Sequence, residues 1–217
     1  PDISIKFDVD NPHFKGIRIR EIWEGDIKNK NDQFLLNMKS RYSPIPSFLS
    51  MKFDSNLKLD SVSFSRIFNS NKGSIELFKK NNSYIWTANN FPLDELELSI
   101  RNNQFDKIEG IINGSGSISS DLSYLDGRLA WSLGKYRNIE LDNSLFDFDY
   151  NENSFNVSSS FYPIDGGIIE AEYNSNINNK INLDFINTST NWTIQTAIDI
   201  FNFENKKFTP ISKLNTL

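Results

Sequence analysis

The chain has 217 residues, of which 38% are hydrophobic and 13% aromatic, and its formal net charge is −5. This negative balance disfavours binding to a nucleic acid, whose backbone requires clustered positive charge. The absence of cysteine excludes disulfides, thiolate nucleophiles and cysteine-based metal sites. No apolar run reaches the roughly 18 residues of a membrane-spanning helix, and no signal peptide opens the chain. Because the chain begins at Pro1 without Met, we expect a segment of a longer protein, with membrane contact only through regions outside this chain.

Alternation of apolar and polar residues begins at once. Ile3, Ile5, Phe7 and Val9 alternate with polar residues, which predicts a strand with one apolar face. The same period resumes through Ile17 to Trp23, Phe34 to Met38, Leu49 to Phe53 and Leu57 to Leu59, with Asp54-Ser55-Asn56 predicted as the turn between the last two. Pro44-Ile45-Pro46 predicts a loop or an edge crossing, because proline cannot donate to a strand ladder. Val62 to Phe68 fits a strand and a short helix equally well.

Glycine pairs punctuate the second half of the chain. Asn113-Gly114, Asp126-Gly127 and Asp165-Gly166-Gly167 predict hairpin turns between short strands. Gly114-Ser115-Gly116 superficially resembles a phosphate loop, but such a loop precedes a helix, and here strand rhythm continues. A hairpin turn is therefore the favoured interpretation of these glycines.

Isolated polar groups give no catalytic constellation. His13 is the only histidine, and its place after a turn proline favours a solvated loop residue without a role. Asp147 and Asp149 could bind calcium or exchange protons, but their spacing places both on one strand face, opposite three aromatic residues. We favour a solvated outer face for them. The sequence therefore predicts no enzyme, no cofactor and no metal site.

Near the C-terminus, Trp192 to Ile200 matches both a strand and a helical face, and the longer match with many β-branched residues favours a strand. Residues 206–217 suggest a loop or tail. Taken together, the pattern predicts an all-β fold for residues 1–217. The same apolar residues would line an open groove or fill the closed core of a β-sandwich or a solenoid, so the pattern leaves these architectures open.

Five motifs in residues 89–173 resemble those of the AsmA-like family, and within it the TamB proteins of bacterial envelopes and their cyanobacterial and chloroplast relatives. They are Phe91-Pro92-Leu93, Ile108-Glu109-Gly110 leading to Gly114-Ser115-Gly116, Leu125-Asp126-Gly127-Arg128-Leu129, Asn138-Ile139-Glu140-Leu141 and Pro163-Ile164-Asp165-Gly166-Gly167. Residues 1–88 share only the strand rhythm. The resemblance implies one long antiparallel meandering sheet, curled into an open, taco-like groove with an apolar interior. It also implies that this sheet lies in the periplasm of the cell envelope and belongs to a parent protein anchored in the inner membrane.

Two functions follow from that resemblance, both for the parent protein. One is phospholipid transport between the inner and outer membranes, with acyl chains as the partner of the groove. The other is a scaffold or chaperone role in translocation and assembly of outer-membrane β-barrel proteins, with a barrel protein of the assembly family as partner. A carbohydrate-binding adhesin, which would need exposed coplanar aromatic rings, ranks last.

Alternation also predicts which side chains would line the groove. Burying one acyl CH₂ is worth about 0.8 kcal/mol, so a sixteen-carbon chain gains on the order of 12 kcal/mol before the costs of binding. The groove candidates are Leu96, Leu98, Ile100, Leu129, Trp131, Phe146, Phe148, Tyr150, Phe155, Val157, Ile169, Ala171, Tyr173, Ile181, Leu183 and Phe185.

Overall fold

A computed structural model describes residues 4–14, 17–30, 33–101, 104–121, 123–137, 139–152, 154–176, 180–191 and 193–194. Its strands, which belong to a single sheet, are β1 (Ser4–Asp10), β2 (His13–Phe14), β3 (Ile17–Ile19), β4 (Ile22–Lys30), β5 (Gln33–Arg41), β6 (Ser47–Phe53), β7 (Leu59–Phe68), β8 (Asn71–Lys80), β9 (Ser83–Pro92), β10 (Leu96–Arg101), β11 (Gln104–Ser119), β12 (Tyr124–Tyr136), β13 (Ile139–Asn151), β14 (Ser154–Pro163), β15 (Ile168–Asn174) and β16 (Lys180–Ile186).

The main path of the sheet is an antiparallel meander of thirteen strands, in the order β1-β4-β5-β6-β7-β8-β9-β11-β12-β13-β14-β15-β16. The strands β2, β3 and β10 form a side branch, in which β10 pairs with both β11 and β3. His13, which the sequence predicted to be a loop residue, lies in β2. The two end strands, β1 and β16, do not pair with each other, so the sheet is open. This confirms the predicted all-β class and the open antiparallel meander.

The predicted turns at Gly114 and Gly127 are wrong. Gly114 and Gly116 lie in the middle of β11, and Gly127 lies within β12, opposite Gly116. Glycine inside a strand often marks the close approach of another group, and the indole of Trp86 lies over all three positions. The prediction at Asp165-Gly166-Gly167 is correct, since these residues form the turn between β14 and β15, with positive φ at both glycines.

The sequence pattern of two segments fitted both a strand and a helix, and the structure assigns them differently. Val62 to Phe68 is strand, within β7. The strand predicted for Trp192 to Ile200 is wrong where the structure describes it, because residues 190–191 and 193–194 are helical. The amide of Thr193 donates to the carbonyl oxygen of Ser189 at 2.9 Å, which is the helical bonding pattern. Trp192, residues 195–200 and the predicted tail lie outside the described residues.

A packed cluster lies at the base of the sheet, near the start of β4 and the end of β9. Trp23 and Phe91 are buried, and the ring of Phe64 lies 6.0 Å from Trp23 and 5.1 Å from Phe91, centroid to centroid. The fully buried Arg66 lies beside them and donates to the carbonyl oxygen of Pro92 at 2.6 Å. Trp23 and Phe64 are separated by three strand steps, so this short distance shows that the sheet curls toward its apolar face here.

Candidate functional site

A continuous apolar row crosses the whole main path of the sheet. Directly paired residues of an antiparallel sheet share a face, so the row can be followed from strand to strand through the register. It contains one residue of each of the thirteen strands: Ile5, Ile27, Leu36, Met51, Val62, Leu77, Trp86, Gly116, Gly127, Phe148, Val157, Tyr173 and Ile181. Twelve steps of about 4.8 Å make this row roughly 58 Å long.

A second row runs beside it, two residues along each strand. Its members are Phe7, Gly25, Met38, Leu49, Phe64, Ile75, Ala88, Gly114, Leu129, Phe146, Ser159, Ala171 and Leu183. Ser159 is the only polar side chain among them, and its hydroxyl donates to the carbonyl oxygen of Ala171 at 3.3 Å. The two rows together form one apolar face.

The row between these two, which faces the other side of the sheet, is entirely polar. It runs through Lys6, Asp26, Asn37, Ser50, Ser63, Glu76, Thr87, Ser115, Arg128, Asp147, Ser158, Glu172 and Asn182. Asp147 therefore lies on the polar face, opposite Phe146 and Phe148. Along these three rows the sheet thus has one apolar and one polar face.

Thirteen of the sixteen groove candidates lie on β12 to β16. Register connects Leu129 to Phe146, Tyr150 to Phe155 and Phe148 to Val157, and continues to the three odd-numbered candidates of β16. Trp131 pairs with Ser144, whose other neighbour Phe161 pairs with Ile169. The structure therefore brings these thirteen predicted side chains together on the apolar face.

The remaining three candidates, Leu96, Leu98 and Ile100, lie on β10 in the side branch. Leu96 pairs with Ile108 on one side and Ile19 on the other, and it is buried. The side chain of Ile100 lies outside the described part of the structure. Leu96 therefore contributes to the covered end of the sheet, away from the open part of the two rows.

The apolar face is open at the C-terminal strands. Side chains of Ile181, Leu183 and Phe185 are 65%, 49% and 48% exposed, and of the thirteen candidates on β12 to β16 only Ile169 is buried. Within the described residues, no second layer covers these strands. This part of the face consequently offers apolar surface to a ligand or partner.

Two large rings fill the central gap that the glycines leave. Trp86 and Phe148 lie nearly parallel, with an interplanar angle of 10° and ring centroids 6.0 Å apart. The indole nitrogen of Trp86 donates to the carbonyl oxygen of Asp126 at 3.3 Å, which holds the ring flat against β11 and β12. Sequence reasoning read these glycines as turns and therefore missed this platform. The three glycines at alternate positions of two paired strands were the available signal.

Depressions in the surface lie mainly on the polar face. One of about 720 Å³ spans β11 to β16 and includes Arg128, Asp147 and Glu172 in its lining. Another of about 710 Å³ spans β1 to β7 and includes Lys6 in its lining. Most of their lining residues lie on the polar face, and the first depression also includes the groove candidates Phe148, Val157 and Tyr173. Three of the acidic side chains in the first have partners. Arg128 pairs with Asp147 at 2.6 Å, the backbone amide of Ser117 donates to Asp126, and the side-chain amide of Asn156 donates to Asp149.

Ion pairs fasten the side branch and the bulged end of β12. Glu97, whose side chain is buried, accepts from Arg18 at 2.7 Å and pairs with Arg20 at the same distance, which ties β10 to β3. Hydrogen bonds from Arg137 and, to a smaller extent, from Tyr136 lower the pKa of Asp106. These contacts are structural, since they join strands rather than line the open face.

The described residues contain no group of three or more His, Cys, Asp or Glu side chains arranged to hold a metal ion. Among them there is also no helix with the length and apolar character needed to cross a membrane.

Comparisons with protein-family models, with curated proteins and with solved structures find no match to this chain. The similarity of residues 89–173 to the AsmA-like family therefore stays a prediction.

Proposed function

We propose that this chain is a segment of an envelope-spanning protein and shelters phospholipid acyl chains on its apolar face during transport between the inner and outer membranes. The observation that carries the proposal is the unbroken apolar row, with one residue on each of thirteen strands. The motifs that residues 89–173 share with the AsmA-like family support the same assignment. The proposal places the segment in the periplasm and involves no catalytic step.

The exposure of the apolar face agrees with a role in holding a mobile apolar ligand. A sheet face that serves only as a core is covered by a second layer, whereas β16 leaves three large apolar side chains about half exposed. An acyl chain along the row would gain about 0.8 kcal/mol for each CH₂ that leaves water. Because neighbouring positions of the row are similarly apolar, the chain could move along the row without a deep minimum.

Lipid content of the purified chain tests this function. Native mass spectrometry of protein expressed in a bacterial periplasm is expected to show bound phospholipid, and Leu183→Asp is expected to remove most of it. Leu145→Asp is the matched control, since Leu145 is a leucine of similar exposure, 44%, on the polar face. Lipid-free wild-type protein, or equal loss in both variants, would overturn the proposal.

The scaffold role in β-barrel assembly is the second candidate, and the open edge of β16 favours it. The outer side of this strand is unpaired among the described residues, and an exposed apolar edge strand can accept a further strand. Photo-crosslinking from position 182 distinguishes the two functions. Crosslinks to unfolded barrel proteins, together with an absence of bound lipid, would favour the scaffold role over lipid transport.

A further inference from the structure

The side branch closes the base of the sheet into a ring. β3 leads directly into β4, with only Arg20 and Glu21 between them. Because β10 pairs with β11 on one side and with β3 on the other, the pairing returns from β11 to the strand that continues into β4. The ring thus contains β4 to β9, β11 and β10, with β3 as the extension of β4, and β12 to β16 lie outside it. Eight strands that close on themselves leave an interior about wide enough for side chains to fill.

Side chains from several strands fill the interior of this ring at the base. Trp23 on β4 and Phe91 on β9 are buried. The fully buried Arg66 on β7 joins its neighbours, since it donates to the hydroxyl of Ser47 on β6 at 3.2 Å and to the backbone of β9. Trp131 lies two pairings beyond Phe91 in the register, outside the ring, and it is only partly buried. Burial of the apolar face at this level therefore depends on the ring.

One short seam fastens the ring. β3 and β10 pair through Ile17–Ile19 and Leu96–Leu98, which is the shortest pairing of the ring among the described residues. Glu97, whose side chain is buried in the middle of this seam, accepts from Arg18 and pairs with Arg20, each at 2.7 Å. Removing one partner of a buried ion pair is strongly destabilising, because the other charge is left uncompensated. Closure of the ring consequently depends on a single carboxylate.

We propose that Glu97 and its two arginines form a clasp, which holds the base of the apolar face closed to water and to acyl chains. This rests on the proposed function, in which acyl chains lie on the apolar face; the ring excludes them from the cluster around Trp23. Glu97 is a positioning residue, because it acts on the base through β3 and β10. Release of the clasp separates β10 from β3 and makes the cluster part of the accessible apolar surface.

Fluorine NMR of the full chain labelled with fluorotryptophan measures the base and the open face separately. The resonance of Trp23 belongs to the base and that of Trp131 to the face outside the ring, and Trp23→Phe and Trp131→Phe assign them. Without lipid, exchange of water for heavy water is expected to shift the Trp131 resonance of the wild type and to leave that of Trp23 unchanged. Addition of oleate is expected to shift the resonance of Trp131 and, again, not that of Trp23.

A cysteine pair in place of the clasp opens and closes the ring within one protein. Arg18 and Glu97 pair directly across the seam, which is a geometry that suits a disulfide, and the chain has no other cysteine. The oxidised R18C/E97C variant is expected to give the wild-type response at Trp23. The reduced form is expected to gain the heavy-water shift at Trp23 and, with oleate, the ligand shift as well. Return of the wild-type response on reoxidation shows that the reduced form has kept its fold.

Glu140→Gln is the control, since the pair of Glu140 with Lys135 at 2.8 Å joins β12 to β13 outside the ring. This variant is expected to leave Trp23 shielded. A heavy-water shift or an oleate shift at Trp23 in the wild type, a reduced R18C/E97C variant whose Trp23 stays shielded, or exposure of Trp23 in Glu140→Gln would each overturn the clasp. Oleate that shifts neither tryptophan resonance of the wild type would contradict the proposed function alone, because closure of the base is measured without lipid.

Discussion

The base of the sheet and its C-terminal strands have the same alternating sequence pattern but different surroundings. At the base, curling brings Trp23, Phe64 and Phe91 together from strands that are several steps apart, and these rings pack closely. On β14 to β16 a ring contact joins Phe155 to Tyr173 of the neighbouring strand, and most of the apolar side chains are partly or largely exposed. The difference shows that the curl of the sheet, rather than composition, decides where an apolar face becomes a core.

The largest expected effect compares one phenylalanine from each region. Phe91→Ala is expected to reduce the free energy of unfolding by about 3–5 kcal/mol, because Phe91 is only 1% exposed and its loss leaves a cavity. Phe155→Ala is expected to cost about 1 kcal/mol, since its ring is 38% exposed. Urea unfolding followed by fluorescence measures both values. Similar losses in the two variants would show that the C-terminal face is as covered as the base.

A smaller effect is expected where the two regions meet, at the glycines beneath Trp86. A methyl group at position 116 would collide with the carbonyl oxygen of Asp126 and with the indole nitrogen of Trp86. Gly116→Ala is therefore expected to destabilise the chain by about 2 kcal/mol and to lift the Trp86 ring from the sheet. Ser115→Ala is the control, because Ser115 lies on the polar face of β11, next to Gly116. Gly166→Ala would be a poor control, because the positive φ of Gly166 adds backbone strain of its own. If Gly116→Ala unfolds at the same urea concentration as the wild type, the close approach of Trp86 to position 116 is contradicted.

The smallest effect concerns the ion pairs that join strands at the branched end. Because its folded pKa is lowered, Asp106 contributes stability above its unfolded pKa of about 3.9, and this contribution disappears as pH falls through the folded value. Asp106→Asn is expected to cost about 1 kcal/mol at neutral pH and much less in strong acid. Asp147→Asn, in the far more exposed pair with Arg128, should change stability by less than about 0.5 kcal/mol under both conditions. Urea unfolding across this pH range measures both variants, and a cost of Asp106→Asn that does not vary with pH would refute the role of its charge.

Sequence reasoning predicted the faces of the strands better than their ends. The period of two from Ile5 to Phe185 was enough to predict strands with one apolar face, including thirteen side chains that share the apolar face of the sheet. The single long sheet was implied by the family resemblance and not by the period. It failed at Gly114 and Gly127, because a glycine that makes room for a distant Trp86 has the same local signature as a glycine in a turn. The packed base was not predicted either. The contact between Trp23 and Phe64 depends on how the sheet curls, and a local sequence pattern carries no information about this curl.

The claim that the C-terminal apolar face holds acyl chains can be tested by labelling β16 residue by residue. The chain has no cysteine, so single cysteines at positions 181 to 186 can each carry a fluorescent label without background. A fatty acid with a spin label in the middle of its chain is expected to quench fluorescence at 181, 183 and 185 and to leave 182, 184 and 186 unchanged. Ile186 is the control for apolar character alone, because it is an exposed apolar residue that lies on the polar face. Equal quenching at odd and even positions, or none at any position, would contradict the account.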